Sequence, residues 1–321
     1  SSDLMNPIRD FAQMTAHLQS LSHRKRVVVV CPNDPHTEYA VSRALEEGIA
    51  DFVLVADARF AAHAEEMRSR CPEHVDVLVV ATPDEAAALA VKIVREQKAD
   101  ILMKGLINTD NLLRAVLNKE TGILPKGEVL THVTVAHVPT YPKLLIFSDA
   151  AVIPRPTLAQ FKAMIRYAVG VAHCCGVEEP RIALLHCSEK INEKFPHTLD
   201  YAVLKECAVQ GEFGRVQMDG PMDVKTACDI HSGNIKGLSS PVVGNADILI
   251  FPNIESGNTF YKSITLFANA DMAGTLRGPI CPVVVTSRSD SGLSKYYSLA
   301  LACLTETCKS QIPVNHENLC Y

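Results

Sequence analysis

Ser287-Arg288-Ser289-Asp290 places a hydroxyl, a planar cation and a carboxylate within four residues, directly after the apolar run Pro282-Val283-Val284-Val285-Thr286. Arg288 can hold phosphate oxygens through two parallel hydrogen bonds, and Asp290 can accept a proton from a thiol whose free pKa is near ~8.5. These are parts for a transfer reaction between a thiol and an oxyanion. The same loop also reads as a salt-bridged turn in which Asp290 or Ser291 caps the next helix and Arg288 pairs with a surface acid.

Two further loops carry the chemistry of anion binding. Lys104-Gly105-Leu106-Ile107-Asn108-Thr109-Asp110 follows an apolar run and opens a helical pattern over residues 111–118, with Thr109 or Asp110 as its expected N-cap. Free amides at that helix start, with Asn108, Thr109 and the Lys104 ammonium, suit a phosphate. Asn253-Ile254-Glu255-Ser256-Gly257-Asn258 follows the run Ile248-Leu249-Ile250-Phe251 and is read as ending just before a helix that carries Lys262 one turn inside. Small side chains there let an anion approach backbone donors, to which Ser256 and Asn258 add their own. Each loop taken alone is also an ordinary capped turn.

The elements that must position these loops alternate along the whole chain. Residues 27–31, 52–56, 75–80 and 100–103 read as buried strands, separated by helical patterns over 37–47, 58–70 and 84–97. The rhythm resumes with strands over 181–187, 215–218, 246–251 and 282–286 and helices over 157–175, 198–210, 257–270 and 291–307. Between the two blocks, residues 129–138 and 143–147 form a hairpin around a proline-bounded turn at 139–142. The expectation is an α/β protein of two three-layer domains, 1–148 and 149–290, with mainly parallel sheets and an interdomain cleft. The segment 291–321 supplies a C-terminal helix that can stay with the second domain or return onto the first.

Composition removes several classes. With 321 residues, 47% hydrophobic and 21% charged, the chain can bury large cores and has no mark of disorder. A net charge of -5 gives no reason to expect a nucleic-acid partner. No apolar stretch reaches the ~18 residues of a membrane span, so no membrane partner and a cytoplasmic location are expected. The eleven cysteines include no C-x-x-C pair and several lie in apolar runs, as expected of reduced thiols. No G-x-G occurs, Glu128 stands where a Walker loop needs its lysine, and the twelve histidines show no zinc spacing with cysteine. A dinucleotide site, a nucleotide-driven phosphoryl transfer and a bound metal are therefore not expected.

Pro241-Val242-Val243-Gly244-Asn245-Ala246-Asp247 leading into Ile248-Leu249-Ile250-Phe251-Pro252-Asn253, then Ser256-Gly257-Asn258 with Tyr261-Lys262, Asp219-Gly220-Pro221-Met222 and Asp149-Ala150-Ala151-Val152-Ile153-Pro154 together resemble the phosphate acetyl/butyryltransferase family. The resemblance runs from about residue 27 to about residue 305. It implies the reversible reaction of a short-chain acyl-CoA with inorganic phosphate to give an acyl phosphate and CoA. It also implies a fold related to isocitrate and isopropylmalate dehydrogenases, no permanently bound cofactor, coenzyme A as substrate, and a homo-oligomer.

By the same resemblance the Ser-Arg pair after the last strand is catalytic and falls on Ser287 and Arg288, while the S-G-N segment, Ser256 to Asn258, lies at the substrate cleft. The acetyl branch typically carries Ser-Arg-Gly with a catalytic aspartate two helical turns later. Here Ser289 replaces the glycine and the later position falls near Ser294, so the pattern resembles the butyryl branch and makes Asp290 the expected base. The compact chain, without a long N-terminal regulatory region, resembles that branch too. Lys104, Asn108, Thr109, Asn253, Ser256, Gly257, Asn258 and Lys262 are the expected substrate-binding residues. A metal-dependent hydroxyacid dehydrogenase on the related fold and a catalytically silent homologue are the rival readings.

Overall fold

A computed structural model describes residues 6–287 and 290–311. After α1 (Phe11–Gln19), the valine-rich segments form β1 (Lys25–Val30), β2 (Ala50–Asp57), β3 (Val75–Val80) and β4 (Ile101–Lys104). Between them lie α2 (Pro35–Glu46), a 3-10 turn at Ala58–Phe60 leading into α3 (Ala61–Arg70), and α4 (Pro83–Arg95). Asp34 and Thr82 cap α2 and α4, each followed by a proline whose fixed φ suits the first helical turn. α5 (Thr109–Val116) follows β4, and β5 (Thr131–His137) and β6 (Leu145–Ser148) form the expected antiparallel hairpin.

The second half contains α6 (Leu158–Cys174), β7 (Arg181–Leu185), α7 (Pro196–Val209), β8 (Gln217–Met222), α8 (Val224–Cys228) and α9 (Ile230–Ile235). It continues with β9 (Ile248–Ile250), α10 (Ile254–Phe267), β10 (Asp271–Arg277), β11 (Val283–Val284) and α11 (Gly292–Gln311). The fold is α/β with a mainly parallel sheet.

The eleven strands among the described residues join one sheet in the order β3-β2-β1-β4-β11-β10-β5-β6-β9-β7-β8. The first five run parallel and so do the last four, but β10 is antiparallel to both β11 and β5, and β5 is antiparallel to β6. The two parallel blocks thus point in opposite senses and meet through an antiparallel centre. The sequence reading omitted β10, the strand that bridges them. Asp-Met-Ala-Gly-Thr-Leu-Arg is poor in β-branched residues, and pairing on both edges, rather than propensity, makes it a strand.

The packing differs on the two faces. On one, a single core continues from Phe52 and Ile101 through Val133 and Val135 to Ile182 and Ile248. On the other, one core gathers Leu112 and Val116 of α5 with Val283, and a separate one gathers Phe260 and Ile264 of α10 with Met272. The gap between α5 and α10 opens over the antiparallel centre.

α11 closes the molecule against its first block. Phe11 and Tyr297 stack with centroids 4.3 Å apart, Arg43 lies over the Tyr296 ring at 4.2 Å, and Lys295 Nζ donates to Thr37 Oγ1 at 2.8 Å. This holds Val285, Thr286, Ser287 and Asp290, which lie between β11 and α11, at the edge of the gap. Among the described residues no helix is long and apolar enough to cross a membrane.

Candidate active site

A cavity of about 300 Å³ fills the gap over the antiparallel centre. Its polar wall includes Ser287 and Asp290 from the loop after β11, with Asn258, Tyr261 and Lys262 from α10 and Thr109 from α5. Its apolar wall is Leu113, Val152, Leu276 and Val285. Ser287 and Asp290 fold on each other: Ser287 N donates to Asp290 Oδ2 at 2.7 Å, and Asp290 N donates to the Ser287 carbonyl at 3.0 Å. These two bonds fix the carboxylate relative to the serine. Ser291 Oγ accepts from Ser294 N at 3.1 Å, so the expected capping role falls to Ser291. Arg288 lies outside the described residues.

The Tyr261 phenol is pushed well above its ordinary pKa by burial and by the charge and hydrogen bonding of Asp290. That shift marks how closely the two groups face each other. Lys262 Nζ lies 5.0 Å from the centre of the Tyr261 ring, a cation over an aromatic face beside the carboxylate. A cation, a phenol and a carboxylate thus share one wall of the cavity.

A second cavity of about 460 Å³ adjoins the first through Thr286 and Ser287, which line both. Lys104, Asn108 and Lys295 bring polar groups to it. Lys104 is 7% exposed and its Nζ donates to the Gly105 carbonyl at 3.3 Å. Burial opposes ionisation of Asp34, but hydrogen bonds from Thr37 and the nearby Lys295 hold its carboxyl below the usual range. Gly105 is fixed by close approach, since a Cβ there would stand 2.1 Å from the Cys31 carbonyl oxygen. The turn that aims Lys104 therefore requires glycine.

The helix expectations need two corrections. α5 starts at Thr109, two residues before the expected 111, and its N-cap is Asn108 rather than Thr109 or Asp110. α10 starts at Ile254 with Asn253 as N-cap, so Ser256-Gly257-Asn258 lies inside its first turns and not ahead of it. Asn253 Oδ1 accepts from Ser256 N at 2.9 Å, and Ser256 Oγ donates to the Asn253 carbonyl at 2.9 Å. At Gly257 a Cβ would stand 2.1 Å from the Asp149 carbonyl oxygen, and Asn258 Nδ2 donates to the Ala150 carbonyl at 3.1 Å. The segment docks α10 on the loop after β6. Asn258 and Lys262 reach the first cavity, whereas Asn253, Ser256 and Gly257 line neither cavity.

Asp149 organises that loop. Its carboxylate accepts from Thr131 Oγ1 (2.7 Å), His132 N (3.1 Å), Ala151 N (2.7 Å), Val152 N (2.9 Å) and Ile153 N (3.2 Å). Sequence reasoning missed His132, Tyr261 and Lys295 as site residues. His132 gave no signal among twelve histidines, because only the register of β5 opposite β10 turns it toward the gap.

A wider open groove of about 750 Å³ between α4 and α5, with Asp84, Arg95 and Arg114 on its walls, contains none of the expected site residues. Among the described residues no group of three or more His, Cys, Asp or Glu could hold a metal ion.

Residues 77–303 match the family model described as phosphate acetyl/butaryl transferase. The chain belongs to this family. It is 36% identical over 296 residues to a phosphate butyryltransferase of Clostridium beijerinckii, covering 92% of this chain and 97% of that protein. It is likewise 36% identical over 280 residues to a phosphate acetyltransferase of Thermotoga maritima, covering 87% and 94%. The crystal structure of a branched-chain phosphotransacylase from Enterococcus faecalis superposes with a TM-score of 0.76 at 30% identity, over 88% of this chain and 99% of that one. As a member of the phosphate acetyl/butaryl transferase family the chain is an acyltransferase. The cavity between α5 and α10 gathers Ser287, Asp290, Asn258, Lys262 and Thr109 of the expected site residues.

Proposed function

We propose that the chain transfers a short-chain acyl group, with butyryl preferred, between coenzyme A and inorganic phosphate, directly within a ternary complex and with no permanently bound cofactor. The observation that carries this reading is the Asp290 carboxylate, turned against Ser287 and beside Tyr261 and Lys262, at a cavity whose other wall is apolar. An apolar wall suits an alkyl chain, and the polar wall suits the thioester and phosphate.

In the direction that makes the thioester, Asp290 takes the proton of the CoA thiol and the sulfur attacks the acyl carbonyl carbon. Ser287 and Arg288 stabilise the oxyanion and the departing phosphate. In the reverse direction Asp290 returns its proton to the leaving thiolate. Lys104, Asn108 and Lys262 surround the adjoining cavities with donors for the phosphate groups of CoA and of the acyl phosphate. The preference for butyryl rests on the Ser-Arg-Ser-Asp pattern and on the side chains of Leu113, Val152, Leu276 and Val285.

Initial-rate measurements with acetyl-, propionyl- and butyryl-CoA at varied phosphate test this. The expected result is the highest kcat/KM with butyryl-CoA and intersecting double-reciprocal lines. Parallel lines would replace direct transfer by a covalent acyl-enzyme, and a higher kcat/KM with acetyl-CoA would move the chain to the acetyl reaction.

A further inference from the structure

The transfer steps above give no task to His132. His132 is buried, 7% exposed, and lines the cavity with Ser287 and Asp290. Its main chain is clamped on both sides, N donating to Asp149 Oδ2 at 3.1 Å and the carbonyl accepting from Ser148 Oγ at 2.8 Å. Its ring is fixed as well: Nδ1 lies 3.1 Å from Thr134 Oγ1, and the Cε1–Nε2 edge lies over Gly274. Burial lowers the imidazole pKa although the charges of Asp149 and Asp290 pull it upward, so the ring is neutral near pH 7. A neutral imidazole has one donor and one acceptor nitrogen. Of the two tautomers, the one taken below has the Thr134 hydroxyl donating to Nδ1 and the hydrogen on Nε2, beside Gly274, which lines the cavity with His132.

The neighbouring polar groups are otherwise engaged. The Tyr261 hydroxyl is turned to Asp290, Lys262 lies over the Tyr261 ring, and Ser298 Oγ accepts from Gly274 N at 2.9 Å.

We propose that His132 is a catalytic residue of the acyl transfer, its Nε2–H donating a hydrogen bond to the acyl carbonyl oxygen as that oxygen becomes the tetrahedral oxyanion. This rests on the acyl-transfer reading of the cavity. The bond from sulfur to the carbonyl carbon forms as the carbonyl π pair moves onto oxygen. The pair returns as the carbon–oxygen bond to phosphate breaks and phosphate leaves with its electrons. His132 keeps its proton throughout, acting as a fixed dipole.

The test compares the full chain with His132→Leu, which removes the donor at similar volume, and His132→Gln, which restores an N–H. Thiol release from butyryl-CoA with inorganic phosphate is measured alongside thermal melting. The expected result is a fall in kcat of about 100-fold or more for the leucine variant, with KM changed by less than about threefold. The glutamine variant should recover at least about tenfold of that loss. A folded leucine variant within about threefold of the wild-type kcat, or a loss that glutamine leaves unrestored, overturns the proposal. Should the leucine variant fail to melt cooperatively, Gly274→Ala, which displaces the ring, carries the comparison: reduced kcat at preserved KM supports the role and an unchanged kcat overturns it. A wild-type chain inactive with acetyl-, propionyl- and butyryl-CoA removes the acyl-transfer reading itself, and this assignment with it, whereas an active wild type with an unaffected leucine variant removes only the assignment.

Discussion

Gly274 is the notch into which the His132 imidazole fits: a Cβ at that position would stand 2.6 Å from both Cε1 and Nε2 of the ring. β10 cannot move aside to admit one, because it is paired along its length with β5 and also with β11. Gly274→Ala is therefore expected to displace the ring and to destabilise the chain by about 1–3 kcal/mol, the usual cost of overpacking a well-filled interior. Denaturant unfolding checks it, and an unchanged midpoint would show that the ring has room to retreat.

Asp290→Asn separates charge from shape. An amide oxygen can still accept from Ser287 N, so that bond is retained, while the proton acceptor is lost. The expected kcat falls by about 100-fold or more, the lower end of what general acid–base groups contribute, with the melting temperature nearly unchanged. A variant retaining most of its turnover would exclude Asp290 as the base.

Asp149 bears on architecture rather than proton transfer. Its two oxygens accept from one hydroxyl and four backbone amides, so the amide group of Asp149→Asn must face at least one N–H donor. A destabilisation of about 1–3 kcal/mol is expected for a buried donor left unsatisfied. Because the same carboxylate holds His132 and the loop with Ala150 and Val152, turnover should fall as well. Equal unfolding midpoints for variant and wild type would contradict this account of the loop.

Stability should depend on pH through buried imidazoles. Burial lowers the pKa of His132, His186 and His197, with the neighbouring His186 adding to the effect at His197. A group whose folded pKa lies below its unfolded value of about 6.5 takes its proton first in the unfolded chain, so folding stability is full above that pH and declines as the pH falls toward the folded pKa. The urea midpoint is expected to be lower at about pH 5.5 than at about pH 7.5. A midpoint equal at the two pH values would show these rings to be accessible to protons without cost.

The fold class was readable because Val- and Ile-rich runs such as Val27-Val28-Val29-Val30 have no solvent-facing side and must be covered by helices on both faces. The exception, β10, is explained by its neighbours: Gly274 lowers strand propensity because it makes room for His132, and the pairing that compensates comes from β5 and β11, distant in sequence. Ser287, Asp290 and Lys104 could be singled out because polar groups directly after apolar runs follow local rules, and Lys262 because it follows the loop read over 253–258; the structure places all four at the two adjoining cavities. Asn253 was read as a ligand group when it is a helix cap, since a cap and an anion site use the same side chains and only the helix start, one turn earlier than expected, distinguishes them. His132 escaped notice, and Tyr261 was noted only within the family motif and given no role, because strand register and the docking of α10, neither of them local, turn them inward.

The most direct test of the central claim is phosphorus NMR of the purified chain with butyryl-CoA and inorganic phosphate, read together with free thiol. The account predicts an acyl phosphate signal that grows in step with thiol release and is absent when phosphate is omitted. Thiol release without acyl phosphate, or neither product with any short-chain acyl-CoA, would contradict it.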